Sequence, residues 1–346
     1  MRIITSHFLR YQKKNAVKTR LTLALLLLAT IQCVAHSVVK EGDLYLVSHE
    51  WQHKNRQWSC NLNIPVELYQ YYQGRAHQSD DMVQFVLSDY DRSCIRGLVA
   101  SFREGGDQAG YSDHDNMRNV ISFVQSLRYV TDKESKRTQE YARFPVETLV
   151  DGKGDCEDLA ILAAAILHEM GYKVLLVILP EHMALAVDCG DLAEGTYYAY
   201  QDSKYYYLEV TNPGWNIGQI PNDFKNSSAT LVPLVYKPRL RLNRCSYQHD
   251  AYYESEREVP YKLHCELENA GPGKTDGLSL HVLFSKPNGT VWVDQTFSLD
   301  ELMEGESVEY DLSLPVPRPF YGSLEIRTEG LNFNAESLLF ESVELE

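Results

Sequence analysis

The hydrophobic pattern of the first half of the chain has the period of helices. Apolar residues recur at helical spacing over 83–102, and we expect the glycines Gly105 and Gly106 to end that helix. A second stripe covers 117–127 and follows a segment over 61–72 that reads as extended. A third run, over 159–170, is so apolar that its helix must be buried.

After Gly171 the pattern takes the short runs of strands. Residues 172–179, 182–188, 197–201 and 205–211 are rich in β-branched, leucine and tyrosine residues and are separated by polar turns. We therefore predict one antiparallel sheet over about 172–211, with the helices packed on it.

The last third of the chain alternates apolar and polar residues with period two. The segment 233–238 reads as a hinge, and about seven short strands separated by turn signals follow it. This pattern predicts an all-β immunoglobulin-like sandwich. Such a domain could bind a surface partner, but it does not by itself define chemistry.

Cys156 lies in the first turn of the most apolar helix. Asp155 is placed to cap that turn, with Asp158 reaching back to it. The free N–H groups and the helix dipole there favour a thiolate, the form that attacks a carbonyl carbon. The alternative is a buried structural cysteine. Because Asp155, Glu157 and Asp158 crowd the thiol with negative charge, we expect those carboxylates to point to solvent or to caps.

A histidine and an acid follow this cysteine in the order that thiol acyl transfer requires. His182 begins a predicted strand, and Glu209 lies in a neighbouring strand on the face that carries Tyr205 and Tyr207. Asp202 is the competing acid, but it falls in a polar turn, which projects away from the sheet. We predict a hydrogen bond between His182 and Glu209.

These residues resemble the transglutaminase-like superfamily, whose core is papain-like. The resemblance rests on Gly154-Asp-Cys156-Glu-Asp, on His182 entering a strand, and on Tyr207-Leu-Glu209-Val-Thr211. The resemblance covers roughly residues 116–221. The segment 144–149, just before the cysteine, resembles the corresponding segment of the family's prokaryotic branch, and this is consistent with an exported protein. The resemblance implies a catalytic triad of Cys156, His182 and Glu209, although the family's acid is usually aspartate.

The predicted fold class is α+β, with a transglutaminase-like catalytic domain that places helices on an antiparallel sheet, followed by the β-sandwich. The domain boundaries are a signal peptide at 1–35, a transglutaminase-like domain at 36–236 with its core at 112–221, and the sandwich at 239–346.

The N-terminal 35 residues have the order of a secretory signal. Basic residues over 2–20 precede the apolar run 21–31, and 33–35 has the small-x-small form of a cleavage site. We expect export to the periplasm, the cell surface or the medium, with no transmembrane span in the mature chain. Lipid attachment at Cys33 is the alternative, although Gln32 is a poor residue before a lipidated cysteine.

The net charge bears on the class of binding partner, and the number of cysteines bears on disulfide formation. The net charge of −15 and the absence of a basic run in the mature part exclude nucleic acid. Of the seven cysteines, Cys33 is removed with the signal peptide and Cys156 is the candidate nucleophile. The remaining five are an odd number, so the sequence does not define a full set of disulfides. A Cys60–Cys94 or a Cys245–Cys265 bridge stays open.

We predict no metal or cofactor. No cysteine spacing matches a zinc site, and His114 between two aspartates is read as a solvated helix entrance. We do not infer a calcium requirement from the family resemblance, because the sequence contains no oxygen-rich loop of the kind that binds calcium.

The predicted activity is hydrolysis of protein or peptide amide bonds through a thioester on Cys156. The Cys156 backbone N–H could form half of an oxyanion hole, while the second donor is not identified. Two alternatives stay open: an amine-transferring protein cross-linker, and a non-catalytic binding module that retains the fold.

Overall fold

The computed structural model describes residues 36–79, 81–138, 140–190, 193–249, 258–317 and 319–345. The predicted signal peptide, including Cys33, lies outside the described residues. The chain divides into two compact units, the first ending at Val235 and the second beginning at Tyr236. No helix among the described residues has the length and apolarity to cross a membrane.

The first unit combines helices with antiparallel strands. Its helices are α1 Val66–Gln73, α2 Val83–Val86, α3 Arg92–Ala109, α4 Asp113–Val124, α5 Asp132–Ser135, α6 Pro145–Asp151 and α7 Cys156–Glu169. Its strands are β1 His36–Glu41, β2 Leu44–His53, β3 Arg56–Pro65, β4 Arg128–Tyr129, β5 Lys153–Gly154, β6 Lys173–Leu179, β7 His182–Asp188, β8 Tyr197–Tyr200, β9 Ser203–Leu208 and β10 Thr230–Pro233.

The central layer is a five-stranded antiparallel sheet in the order β10-β6-β7-β9-β8. Helix α7 packs on β6 and β7, and α3 and α4 pack on α7. Every residue of α7 from Asp158 to Leu167 is buried, which explains why this helix is apolar all round. The predicted α+β class is confirmed.

A second sheet, β1-β2-β3, was only partly predicted from the sequence. The segment 61–72 is not extended throughout, because β3 ends at Pro65 and α1 follows. Trp51 of β2 is buried and donates from Nε1 to Asn119 Oδ1 of α4 at 2.9 Å. This sheet therefore packs against the helices, with β2 on α4 and α6 and β3 on α1 and α3.

The helix predicted over 83–102 is in fact two helices, and the expected stop at Gly105 and Gly106 is wrong. Helix α3 continues through both glycines and ends at Gly110, whose φ is +71°. A Cβ atom on Gly106 would lie 1.9 Å from Asn116 Oδ1. The glycine thus permits the close approach of α4 rather than ending α3.

The second unit contains only strands among its described residues. They are β11 Leu240–His249, β12 Glu258–Asn269, β13 Ser279–Ser285, β14 Val291–Ser298, β15 Ser307–Pro317, β16 Phe320–Glu329 and β17 Ser337–Leu345. They form two antiparallel sheets, β11-β12-β15 and β14-β13-β16-β17. Tyr261 and Leu314 of the first sheet share one hydrophobic core with Phe284 and Leu324 of the second. The immunoglobulin-like assignment of this unit stays a prediction.

Candidate active site

Cys156 is the first residue of α7, and the turn before it is held by Asp158. The Asp158 Oδ2 atom accepts a hydrogen bond from the Asp155 backbone N–H at 3.2 Å, as the capping pattern predicts. A Cβ atom on Gly154 would lie 2.5 Å from the Asp158 Cβ, so only glycine fits there. The Asp158 cap and the close contact at Gly154 therefore fix the backbone around Cys156 at the N-terminus of α7.

A buried arginine anchors this turn to the preceding segment. The Arg143 side chain is fully buried and forms ion pairs with Asp158, with Asp132 at 3.1 Å and with Asp151 at 3.4 Å. Its backbone N–H also donates to Asp158 Oδ1 at 2.6 Å. The Asp158 carboxylate is therefore engaged by Arg143 and by the cap.

His182 and Glu209 are in direct contact. The His182 Nε2 lies 3.0 Å from Glu209 Oε2, which also accepts from the Tyr207 hydroxyl at 3.0 Å. Glu209 Oε1 accepts from the backbone N–H groups of Val210 and Thr211, each at 3.1 Å, and from the Thr211 hydroxyl at 2.7 Å. Burial alone raises the pKa of Glu209, but the hydrogen bonds from His182 and Thr211 outweigh it and lower the pKa.

This arrangement defines the tautomer of His182. An ionised carboxylate only accepts hydrogen bonds, so the proton of a neutral His182 ring must lie on Nε2. The Nδ1 atom is then the lone-pair nitrogen, free to take a proton. The hydrogen bond predicted between His182 and Glu209 is confirmed, while their catalytic role stays a prediction.

The other predicted acid, Asp202, lies elsewhere. It is exposed in the turn between β8 and β9, with φ of +61°. Glu209, by contrast, is buried at the end of β9.

Phe224 packs flat against the His182 ring. Their ring centroids are 4.6 Å apart and the ring planes differ by 2°. Phe224 belongs to a 3-10 turn, Asn222–Phe224, which lies between β9 and β10 in the sequence. The stacking holds the imidazole in the plane that its bond to Glu209 requires. Sequence reasoning missed Phe224, since one phenylalanine in a polar loop carries no periodic signal.

Gln125 holds the backbone around the acid. Its Nε2 donates to the carbonyl oxygen of Glu209 at 2.8 Å and to that of Trp215 at 3.0 Å. One buried amide therefore ties two points of the segment after β9 to the end of α4. The only sequence sign was a glutamine interrupting the apolar stripe between Val124 and Leu127.

The Cys156 thiol lies beside β7 but is turned toward a carboxylate. The backbone N–H of Met183, the residue after His182, stabilises the thiolate, while Sγ donates to Glu157 Oε2 at 3.3 Å. Among the residues that the structure describes, no hydrogen bond joins Cys156 to His182. Burial first and the Glu157 charge second raise the pKa of this thiol. The expectation that all three neighbouring carboxylates point away is wrong for Glu157.

Three carboxylates near the thiol could together hold a hard cation. One oxygen from each of Asp132, Asp155 and Glu157 lies within 4.8 Å of the others. The Asp155 Oδ1 atom is buried without a hydrogen-bond partner, and the side chain is 8% exposed. Burial, then the hydrogen bond with Glu157 and its charge, raise the pKa of Asp155 to about 8. Such an oxygen set suits Ca²⁺ or Mg²⁺. This cluster was not predicted from the sequence, because Asp132 is distant from Asp155 and Glu157 in the sequence and only the fold places it beside them.

Comparisons with known proteins agree with this architecture. Residues 108–212 match the family model of a transglutaminase-like domain (DUF553), so the predicted resemblance is confirmed. No curated protein matches the chain.

Several solved structures share limited likeness. The putative ApaA protein of Bordetella pertussis is 16% identical over 32% of this chain and 94% of its own, with a TM-score of 0.24. LapG of Legionella pneumophila (calcium-bound) is 20% identical over 48% of this chain and 86% of its own, with a TM-score of 0.28. A β-glucuronidase of Bacteroides uniformis is 14% identical over 49% of this chain and 23% of its own, with a TM-score of 0.25. The chain thus spans less than a quarter of the glycosidase, and at these TM-scores none of the likenesses bears on function.

Proposed function

We propose that this protein hydrolyses amide bonds of proteins or peptides, and the match of residues 108–212 to a transglutaminase-like domain supports a thiol-dependent enzyme. The observation that supports this best is the hydrogen bond of 3.0 Å between His182 and Glu209. The residue after His182, Met183, stabilises the Cys156 thiolate through its backbone N–H. In the proposal Cys156 is the nucleophile, His182 the base and Glu209 the orienting acid. The proposal includes export, which rests on the pattern of residues 1–35.

In the proposed reaction, His182 Nδ1 takes the proton of the Cys156 thiol, and Sγ attacks the amide carbonyl carbon. The Cys156 backbone N–H, at the helix N-terminus, stabilises the oxyanion that forms. The C–N bond breaks, the amine leaves with the proton from His182, and a thioester remains. Water, deprotonated by the same imidazole, then releases the acid and the free thiol. Glu209 keeps the ring in the required tautomer and offsets its positive charge throughout.

One contact must change before the thiol can react. The Sγ–Glu157 hydrogen bond stabilises the protonated thiol, so the side chain has to turn from Glu157 to His182. A divalent cation bound by Asp132, Asp155 and Glu157 would neutralise the carboxylates that favour the protonated form. Arg143 already pairs with Asp158, which leaves Glu157 and, to a smaller extent, Asp155 as the carboxylates that oppose ionisation of the thiol.

The test uses the full chain and a library of peptide and cell-wall amides. Wild type and Cys189→Ala, a buried cysteine of the same unit, should release amines and new carboxylates, while Cys156→Ala should release neither. An added lysine analogue distinguishes hydrolysis from cross-linking, because incorporation of the amine in place of water would support the cross-linker. Turnover that survives in Cys156→Ala contradicts the proposal. Folding of each variant is checked by its melting temperature.

A further inference from the structure

Two cysteines of the second unit face each other across a strand pair. Strands β11 and β12 are antiparallel, and Cys245 is the direct register partner of Cys265. Their Sγ atoms are 2.9 Å apart. That separation is shorter than the roughly 3.5–4.0 Å at which non-bonded heavy atoms attract best.

We propose that Cys245 and Cys265 form a cross-strand disulfide when the protein meets an oxidising environment. Directly opposed residues of an antiparallel pair have Cα atoms about 4.5–5.5 Å apart, inside the range of about 4.4–6.8 Å that disulfides occupy. The bond therefore needs a change of side-chain torsions and no movement of the strands. This inference is independent of the proposed activity, because both residues lie in the second unit.

The surroundings define which sulfur reacts first. Cys265 is fully buried in the core of the second unit, whereas Cys245 is partly exposed at its margin. A small disulfide such as oxidised glutathione, or the disulfide of an oxidoreductase, can reach Cys245 only. The Cys245 thiolate attacks that disulfide and releases one thiol. The Cys265 thiolate then attacks the Cys245 sulfur of the mixed disulfide and releases the second, so two protons and two electrons pass to the oxidant.

The remaining cysteines of the described chain are differently placed. Cys60 and Cys94 are buried in the first unit, and burial raises the pKa of each to about 12, so they hardly form thiolate. No other pair of described cysteines is joined by a sulfur–sulfur contact like that of Cys245 and Cys265. Of the two bridges that the sequence leaves open, the proposal therefore selects Cys245–Cys265.

The test treats the purified full chain with reduced or oxidised glutathione, alkylates it in denaturant and digests it with trypsin. Oxidised wild type should yield the peptides 245–257 and 263–274 as one linked species, two hydrogens lighter than their sum. The Cys60 and Cys94 peptides should be alkylated in both samples. Oxidation should also raise the melting temperature of the second unit by roughly 10 °C, and reduction should reverse it.

Cys245→Ser supplies the matched variant, because the serine keeps the size of a partly exposed side chain. It should show no linked peptide and no change of melting temperature with oxidant, while Cys189→Ala should behave as wild type. Individual alkylation of both peptides after full oxidation would overturn the proposal. So would a link from Cys245 to any cysteine other than Cys265.

Discussion

The Nε2 atom of His182 lies 3.0 Å from Oε2 of Glu209, between the first residue of β7 and the residue after the end of β9. We expect Glu209→Gln to lower turnover by roughly 10³–10⁴-fold, as neutralising the orienting acid does in other triads. The amide neither holds the tautomer nor offsets the imidazolium charge. The readout is kcat on the amide substrate that the library screen identifies.

Asp202→Asn is the matched control for that variant. It neutralises an exposed carboxylate in the turn before the same strand, and it should leave kcat within about twofold of wild type, since surface changes of this kind have small effects. A larger loss in Asp202→Asn than in Glu209→Gln would reverse the assignment of the acid.

Phe224→Leu should lower turnover by roughly 5- to 13-fold without unfolding the protein. The leucine keeps an apolar contact but loses the parallel stacking on His182, an interaction of about 1–1.5 kcal/mol, and frees the ring to rotate. Because Phe224 is a positioning residue, the loss should appear in kcat together with a shift of the pH–rate profile.

The conservative Phe224→Tyr separates positioning from packing. It retains a flat ring against His182 and should recover most of the lost rate. Equal losses in both variants, with equally reduced melting temperatures, would indicate that Phe224 is merely structural.

Calcium should bind at the three carboxylates of Asp132, Asp155 and Glu157 and stabilise the first unit. A ligand at about 100 times its Kd adds about 2.7 kcal/mol to the free energy of unfolding. The measurement is the melting temperature with calcium and with a chelator, supported by terbium luminescence as a readout that does not depend on activity. Glu157→Gln should abolish the calcium-dependent shift.

Glu169→Gln provides the comparison at the other end of α7. That carboxylate pairs with Arg96 and lies outside the cluster, so its calcium response should match wild type. A calcium shift of equal size in Glu157→Gln and wild type would show that the cluster does not hold the ion.

The elements around the site could be predicted wherever local periodicity and burial agree. Helix α7, the strand that begins at His182 and the strand that ends just before Glu209 follow from their patterns, and so does the contact between those two residues. The failures have a common physical cause, which is contact between distant segments. Gly106 reads as a helix stop but accommodates Asn116, and Phe224 and Asp132 reach the site from loops whose positions only the fold defines.

The buried histidine His49 should make the first unit sensitive to acid. Burial, and secondly the His36 charge, lower the pKa of His49 to about 3, although its bond to the Leu149 carbonyl oxygen, 3.1 Å from Nε2, acts the other way. In the unfolded chain the ring titrates near its ordinary value of about 6.5. Between those two values the unfolded state binds a proton that the folded state does not.

The free energy of unfolding should therefore fall as the pH drops below about 6.5, by about 1.4 kcal/mol per pH unit for each such histidine. His53, whose pKa burial lowers to about 4, adds a second contribution over a narrower range. His49→Gln keeps an N–H donor for the Leu149 carbonyl and removes the titrating group, so its slope between about pH 6 and pH 4 should be smaller by about 1.4 kcal/mol per unit. Urea unfolding followed by tryptophan fluorescence measures this slope, since Trp51 and Trp58 are buried in the first unit. An unchanged slope in His49→Gln would mean that His49 is already protonated in the folded protein, or that its ring does not remain buried there.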